Sequence, residues 1–137
     1  MKFGLELKSN FKQIDCVEPF CPVPDPIPNN MIWHSMGFKQ FVSTNKQQWD
    51  LVLTFACTIQ IEDIDLVNTD TIAEMYFDVT ANDGILIYES QKLNRNRHKQ
   101  HAQRMIASFR KVFGNEFQIK AGRSRDQRTV HYYKKNL

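Results

Sequence analysis

Leu51-Val52-Leu53-Thr54-Phe55-Ala56-Cys57-Thr58-Ile59-Gln60-Ile61 is the stretch on which the fold turns. Leu51, Leu53, Phe55, Cys57, Ile59 and Ile61 alternate with Val52, Thr54, Ala56, Thr58 and Gln60, and β-branched and aromatic types are frequent. Alternation of that length predicts one long central strand, because successive strand side chains point to opposite faces. Thr44-Asn45-Lys46-Gln47-Gln48 reads as the turn leading into it.

On the C-terminal side, an acidic connector over residues 62–70 is followed by Ala73-Glu74-Met75-Tyr76-Phe77-Asp78-Val79, read as a further strand. Asn82-Asp83-Gly84 then predicts a hairpin turn into Ile85-Leu86-Ile87-Tyr88, since glycine accepts the positive φ of a tight turn. Ala102, Met105, Ile106, Phe109, Val112 and Phe113 recur at the spacing of one buried helix face, which predicts a helix over about 94–113, stopped by Gly114-Asn115. Residues 117–122 and 128–135 read as a last hairpin with a polar tip.

On the N-terminal side, residues 33–42 read as extended, and Phe3, Leu5 and Leu7 alternate with Lys2, Glu6 and Lys8 as in a half-buried strand. All five prolines, Pro19, Pro22, Pro24, Pro26 and Pro28, fall in one segment that can neither supply a ladder nor form a helix. Residues 16–31 are thus expected to be an extended surface connection, the alternative being a docking segment for a partner's aromatic groove. The sum is an α+β chain: a mostly antiparallel sheet of about six or seven strands with one long helix packed on it, forming a single domain over residues 1–137.

Composition agrees with a folded chain. The 137 residues are 42% hydrophobic and include ten Phe, four Tyr and two Trp, enough to bury a core. No run approaches the roughly 18 apolar residues of a membrane span, and Glu6 interrupts what a signal peptide would keep apolar, so a soluble, cytoplasmic protein with no membrane partner is expected. Cys16, Cys21 and Cys57 are three and cannot all pair, in keeping with reduced thiols.

The most informative feature is charge. Residues 1–91 carry five Lys and Arg against thirteen Asp and Glu, whereas residues 92–137 carry thirteen against two. Between Lys46 and Lys92 there are nine acids and no base. A one-signed C-terminal third with interleaved aromatics has the ingredients of a phosphate-tracking surface. The leading expectation is therefore a non-enzymatic binding protein for nucleic acid or another polyanion. Arg97, Arg104, Arg123, Arg125, Arg128 and Lys134 would hold phosphates, and Tyr132 or Tyr133 would stack. The bland competitor is that these cations close over the chain's own acids.

Two other functions compete. An interaction or inhibitor module would act on a protein through the acidic 50–83 face, and a ligand-binding or hydrolytic α+β domain would carry a pocket between sheet and helix. A binding role is favoured over catalysis, with no catalytic residue, metal ligand or cofactor assigned. His98 and His101, three apart on the helix, could join His131 and Arg123 or Arg128 in a metal-free hydrolytic arrangement, but ordinary basic-helix histidines are the preferred reading. Glu89-Ser90-Gln91-Lys92 has one residue too many for a metal-nuclease pair. The cysteines and His34 lack zinc spacing, and no glycine-rich phosphate loop, nucleophile elbow, His-Glu-x-x-His or dinucleotide fingerprint is present.

Overall fold

Two short strands, β1 (Ile14–Val17) and β2 (Met31–His34), run parallel near the start of the computed structural model, which describes residues 10–114, 117–119 and 127–136. The chain divides into two compact units, residues 1–45 and 46–137. The alternation expected at residues 1–9 lies outside the described residues. In the first unit, β1 and β2 pair from Ile14↔Met31 to Val17↔His34, and the prolines occupy the connection between them. Asp15 closes on His34 at 2.8 Å. Residues 33–42 are not one extended stretch: β2 ends at His34, and α1 (Phe38–Thr44) follows Gly37. Phe41 is buried, with its ring 4.8 Å from His34.

In the second unit the decisive stretch breaks. β3 (Trp49–Phe55) stops before Ala56, whose φ is 54°, and α2 (Thr58–Asp65) begins after Cys57. The long central strand is therefore half strand and half helix. A left-handed alanine rephases the chain, so an alternation that looks continuous in sequence serves two elements.

The presumed strand over residues 73–79 is likewise helical. α3 (Thr69–Val79) buries Ile72, Ala73, Met75, Tyr76 and Val79 on one stripe, and the Asn68 side chain caps it by accepting from the Thr71 N–H at 2.9 Å. Nor do residues 82–84 turn a hairpin; they are an irregularity inside β4 (Thr80–Glu89), where the register with β3 jumps from Trp49↔Thr80 to Leu51↔Ile85. Only glycine fits at position 84, because a Cβ there would lie 2.7 Å from the Ala81 carbonyl oxygen.

α4 (Asn96–Phe113) occupies the expected helical segment and ends at Gly114, φ 78°, whose N–H donates to the Arg110 carbonyl at 2.9 Å. β5 (Phe117–Ile119) and β6 (Val130–Lys134) pair antiparallel. The sheet order is β3-β4-β6-β5, with β3 and β4 parallel and β6 antiparallel to both of its neighbours. The mostly antiparallel α+β fold with one helix is thus corrected. Among the described residues there are two small sheets, one parallel and one mixed, and four helices.

Thr54, Leu86, Tyr88, His131 and Tyr133 share one face of the larger sheet by register. On that face Phe109 is fully buried, its ring 5.3 Å from Tyr88, 5.1 Å from Tyr133 and 6.0 Å from Tyr76. This aromatic layer packs α3 and α4 onto the sheet and fixes the carboxyl ends of β3 and β4.

Candidate active site

In open sheets with parallel strands, ligands bind outside the strands' carboxyl ends, where helix N-termini and loops converge. The parallel pair β3 and β4 has such an edge. The ladder persists to it, with the Ala56 N–H donating to the Glu89 carbonyl at 2.8 Å. Beyond that point Ala56 sits in left-handed backbone, a conformation that costs about 1 kcal/mol or more for a non-glycine residue and gathers at functional sites. The Gln91 side-chain amide donates to the Ala56 carbonyl, tying the strand ends together.

A chain of polar side chains lies behind this edge. The Tyr76 hydroxyl donates to Thr54 Oγ1 at 2.8 Å, and Thr54 Oγ1 is 3.1 Å from Cys57 Sγ, which in turn is 3.9 Å from the Tyr76 oxygen. One step on, Thr58 Oγ1 is 2.8 Å from His101 Nε2, and His101 Nδ1 is 3.0 Å from Glu62 Oε2. A carboxylate only accepts, so Nδ1 carries the proton and Nε2 accepts from the threonine hydroxyl. Burial pushes the Tyr76 phenol well up and raises that of Tyr88, and the nearby Thr58 hydroxyl offsets part of the Tyr88 shift without forming a well-aligned hydrogen bond. Both phenols stay protonated at neutral pH.

His101 is pulled down from the ordinary imidazole value of 6.5, first by burial, with Arg104 and Arg97 adding to the effect and Glu62 opposing it. A folded state that binds the proton less readily than the unfolded chain is destabilised by acid. The stability due to His101 is complete above pH 6.5 and is lost as pH falls from there toward the lower folded value. The urea midpoint should decline on acidification from pH 7 to pH 5, and His101→Gln should remove that component of the decline. An unchanged pH profile in the variant would show that His101 is not the group responsible.

Four cations of the basic third pair with acids among the described residues. Arg97 bonds Asp63, Arg104 lies 3.8 Å from Glu62, Lys111 is 3.3 Å from Asp70, and Arg128 is 3.2 Å from Glu89. Each pair joins the acidic middle of the chain to the basic end. Ser108 and Lys111 hold the Asp70 carboxyl below its usual range. Tyr133, expected to stack on a base, is fully buried against Phe109, and Tyr132 is half-buried on the opposite sheet face. Lys134 is exposed on β6, whereas Arg123 and Arg125 lie outside the described residues. His98 Nδ1 is 3.0 Å from the Lys92 carbonyl, and His131 is buried beside Tyr133. The histidines therefore serve different partners. Burial raises the Cys16 thiol to about 11, and no group of three or more His, Cys, Asp or Glu among the described residues is placed to hold a metal. Nor, among them, is any helix long and apolar enough to cross a membrane.

Sequence reading missed Thr54, Ala56, Cys57, Thr58, Tyr76 and Gln91 as a group. No motif marks them. The available signal was indirect: Asn68 before a helical stripe makes residues 69–79 a crossover, which makes β3 and β4 parallel and directs attention to their carboxyl ends.

Comparison with known proteins bears on this edge. No family model and no curated protein matches the sequence. Among solved structures, the N-methyltransferase NodS of Bradyrhizobium japonicum WM9 superposes with a TM-score of 0.73 at 15% identity, over 98% of this chain and 80% of that one. The same enzyme in complex with S-adenosyl-l-homocysteine gives 0.67 at 14% identity, over 98% and 72%. A Klebsiella pneumoniae protein assigned as an O-methyltransferase gives 0.54 at 9% identity, over 79% of this chain and 50% of that one. These folds correct the expectation of a non-enzymatic protein that binds nucleic acid or another polyanion through its basic C-terminal third, or a protein through its acidic 50–83 face. The chain has the fold of these methyltransferases.

Proposed function

We propose that this chain is a methyltransferase whose reacting groups meet at the carboxyl ends of β3 and β4. The observation that carries the reading is the end of β3. A parallel strand stops at Phe55, turns through left-handed Ala56 and delivers Cys57 and Thr58 into a polar cluster, within a fold shared with NodS. The ligand class is taken from the NodS complex with S-adenosyl-l-homocysteine. The side chains at the edge suit such a group. Phe55, 37% exposed, and the half-buried Cys57 and Gln91 are uncharged and can face a purine and a thioether, with the buried hydroxyls of Thr54, Thr58 and Tyr76 behind them, while Glu62 and Glu89 are already engaged by cations.

When bound, an S-adenosyl methyl donor supplies an electrophilic methyl group on sulfur. The chain's own part is positional. Thr54, Cys57 and Tyr76 fix one another behind the edge, and the protonated phenol of Tyr76 serves as donor to Thr54. Gln91 holds the Ala56 turn closed against the end of β4. Preorganised geometry of this kind is what a bimolecular transfer needs from a protein.

S-Adenosyl-l-homocysteine at a hundredfold excess over its Kd should stabilise the protein by about 2.7 kcal/mol, raising the thermal midpoint by roughly 10 °C. Phe55→Ala should leave the ligand-free midpoint nearly unchanged and cut that shift by more than half. No shift with millimolar ligand in scanning fluorimetry overturns the proposal.

A further inference from the structure

The connection between β1 and β2 displays what folded proteins usually cover. A parallel pair needs a crossover of about a dozen residues, commonly a helix that buries its apolar stripe. Proline at positions 19, 22, 24, 26 and 28 excludes a helix here. Pro19, Phe20, Cys21, Pro22 and Val23 are all exposed, with Phe20 at 73% and Val23 at 50%. Single exposed apolar residues are ordinary; five consecutive exposed positions around a phenylalanine are not.

The display is also held in shape. Glu18 Oε1 accepts from the N–H groups of Phe20 at 2.9 Å and Cys21 at 3.1 Å. The Glu18 N–H itself donates to the His34 carbonyl at 3.0 Å, which fastens the turn to the end of β2. Pro19 and Pro22 restrict φ on either side of the aromatic. The tip is thus ordered before anything binds, and an ordered aromatic anchor loses little entropy on association.

Charge indicates the partner. No Lys or Arg lies between Lys12 and Lys39, and Glu18 and Asp25 flank the exposed tip. The remaining acid in that interval, Asp15, is closed against His34. Two carboxylates within three positions of the tip disfavour an anionic lipid surface and favour a pocket rimmed by Lys or Arg. We propose that residues 19–23 form a protein-docking tip, in which Phe20 inserts into an apolar pocket of a partner protein whose rim is basic. This proposal does not rest on the methyl-transfer reading and stands whether or not that reading holds.

The test places a photocrosslinker on the full chain by Phe20→p-benzoylphenylalanine, irradiates it in its native cells, and purifies the cross-linked species. The protein partner identified in that species is purified free of the cross-link and titrated calorimetrically against the wild type, Phe20→Ala and Asp25→Lys. The expected result is a distinct protein whose affinity falls at least about tenfold with Phe20→Ala, the size of loss typical of a central anchor, and falls with Asp25→Lys more at low salt than at high salt. Thermal midpoints of both variants should match the wild type, since Phe20 and Asp25 are exposed. Cross-links only to lipid, only to a second copy of this chain, or to nothing overturn the proposal. So does a purified partner that binds Phe20→Ala within twofold of the wild type.

Discussion

Phe109→Ala should cost about 3–5 kcal/mol of stability, the range for removing a fully buried aromatic from a packed core. For a unit the size of residues 46–137 that corresponds to a fall of roughly 20 °C in thermal midpoint. Phe109 has no exposed surface, and its ring is 5.3 Å from Tyr88, 5.1 Å from Tyr133, 6.0 Å from Tyr76 and 6.2 Å from Phe113. Those neighbours come from α3, α4, β4 and β6 and cannot all collapse into the vacated space, so the cavity contribution adds to the lost transfer energy. Phe109→Leu refills most of the volume and should cost under about 1.5 kcal/mol. Urea unfolding followed by circular dichroism measures both. A loss below about 1.5 kcal/mol for the alanine variant would mean that these five rings do not form one rigid layer.

The same layer ties stability to the proposed chemistry. Tyr76 and Tyr88 touch Phe109 on one side and face Thr54, Cys57 and Thr58 on the other. A mild variant such as Phe109→Leu tests this connection, because it leaves the protein folded while loosening the wall behind the β3 turn.

What was legible in the sequence follows from where each signal is local. The helix over Asn96–Phe113 is announced by its own apolar stripe and by a glycine at the position where a left-handed cap is needed. The crossover helix Thr69–Val79 was equally local, since Ile72, Tyr76 and Val79 share a helical face and Asn68 supplies the cap; the apolar cluster over residues 75–77 masked that period. The break at Ala56 was not legible, because a positive φ is ordinarily flagged by glycine or asparagine. Continuous alternation through it turned a strand–helix junction into an eleven-residue strand. These two misreadings removed the crossover and made a parallel pair look antiparallel, which hid the carboxyl edge. Charge misled for a different reason. Segregation along the chain says nothing about separation in space, and Arg97, Arg104, Lys111 and Arg128 each find an acid from 34 to 42 positions earlier in sequence.

Lys135→Met should be nearly as damaging as loss of the aromatic hub, at about 3 kcal/mol, while Lys134→Met should change stability by less than about 0.5 kcal/mol. The two lysines are adjacent in sequence and read alike as members of a basic tail, yet Lys135 is only 4% exposed and Lys134 is exposed. Lys135 Nζ donates to the carbonyls of Phe77 at 2.8 Å and Thr80 at 2.9 Å and lies 4.1 Å from the centre of the Phe77 ring. Those carbonyls stand at the C-terminal end of α3, where the helix dipole is negative, and the Phe77 oxygen also accepts from the Thr80 N–H that caps the helix. A buried ammonium is tolerable there because it meets two acceptors and an aromatic face. Methionine keeps the aliphatic stem but withdraws both charge-assisted donors from a largely buried site. Comparing urea midpoints of the two variants isolates the effect of placement from that of charge. Equal, small losses would show that the amine reaches solvent and that α3 ends without it.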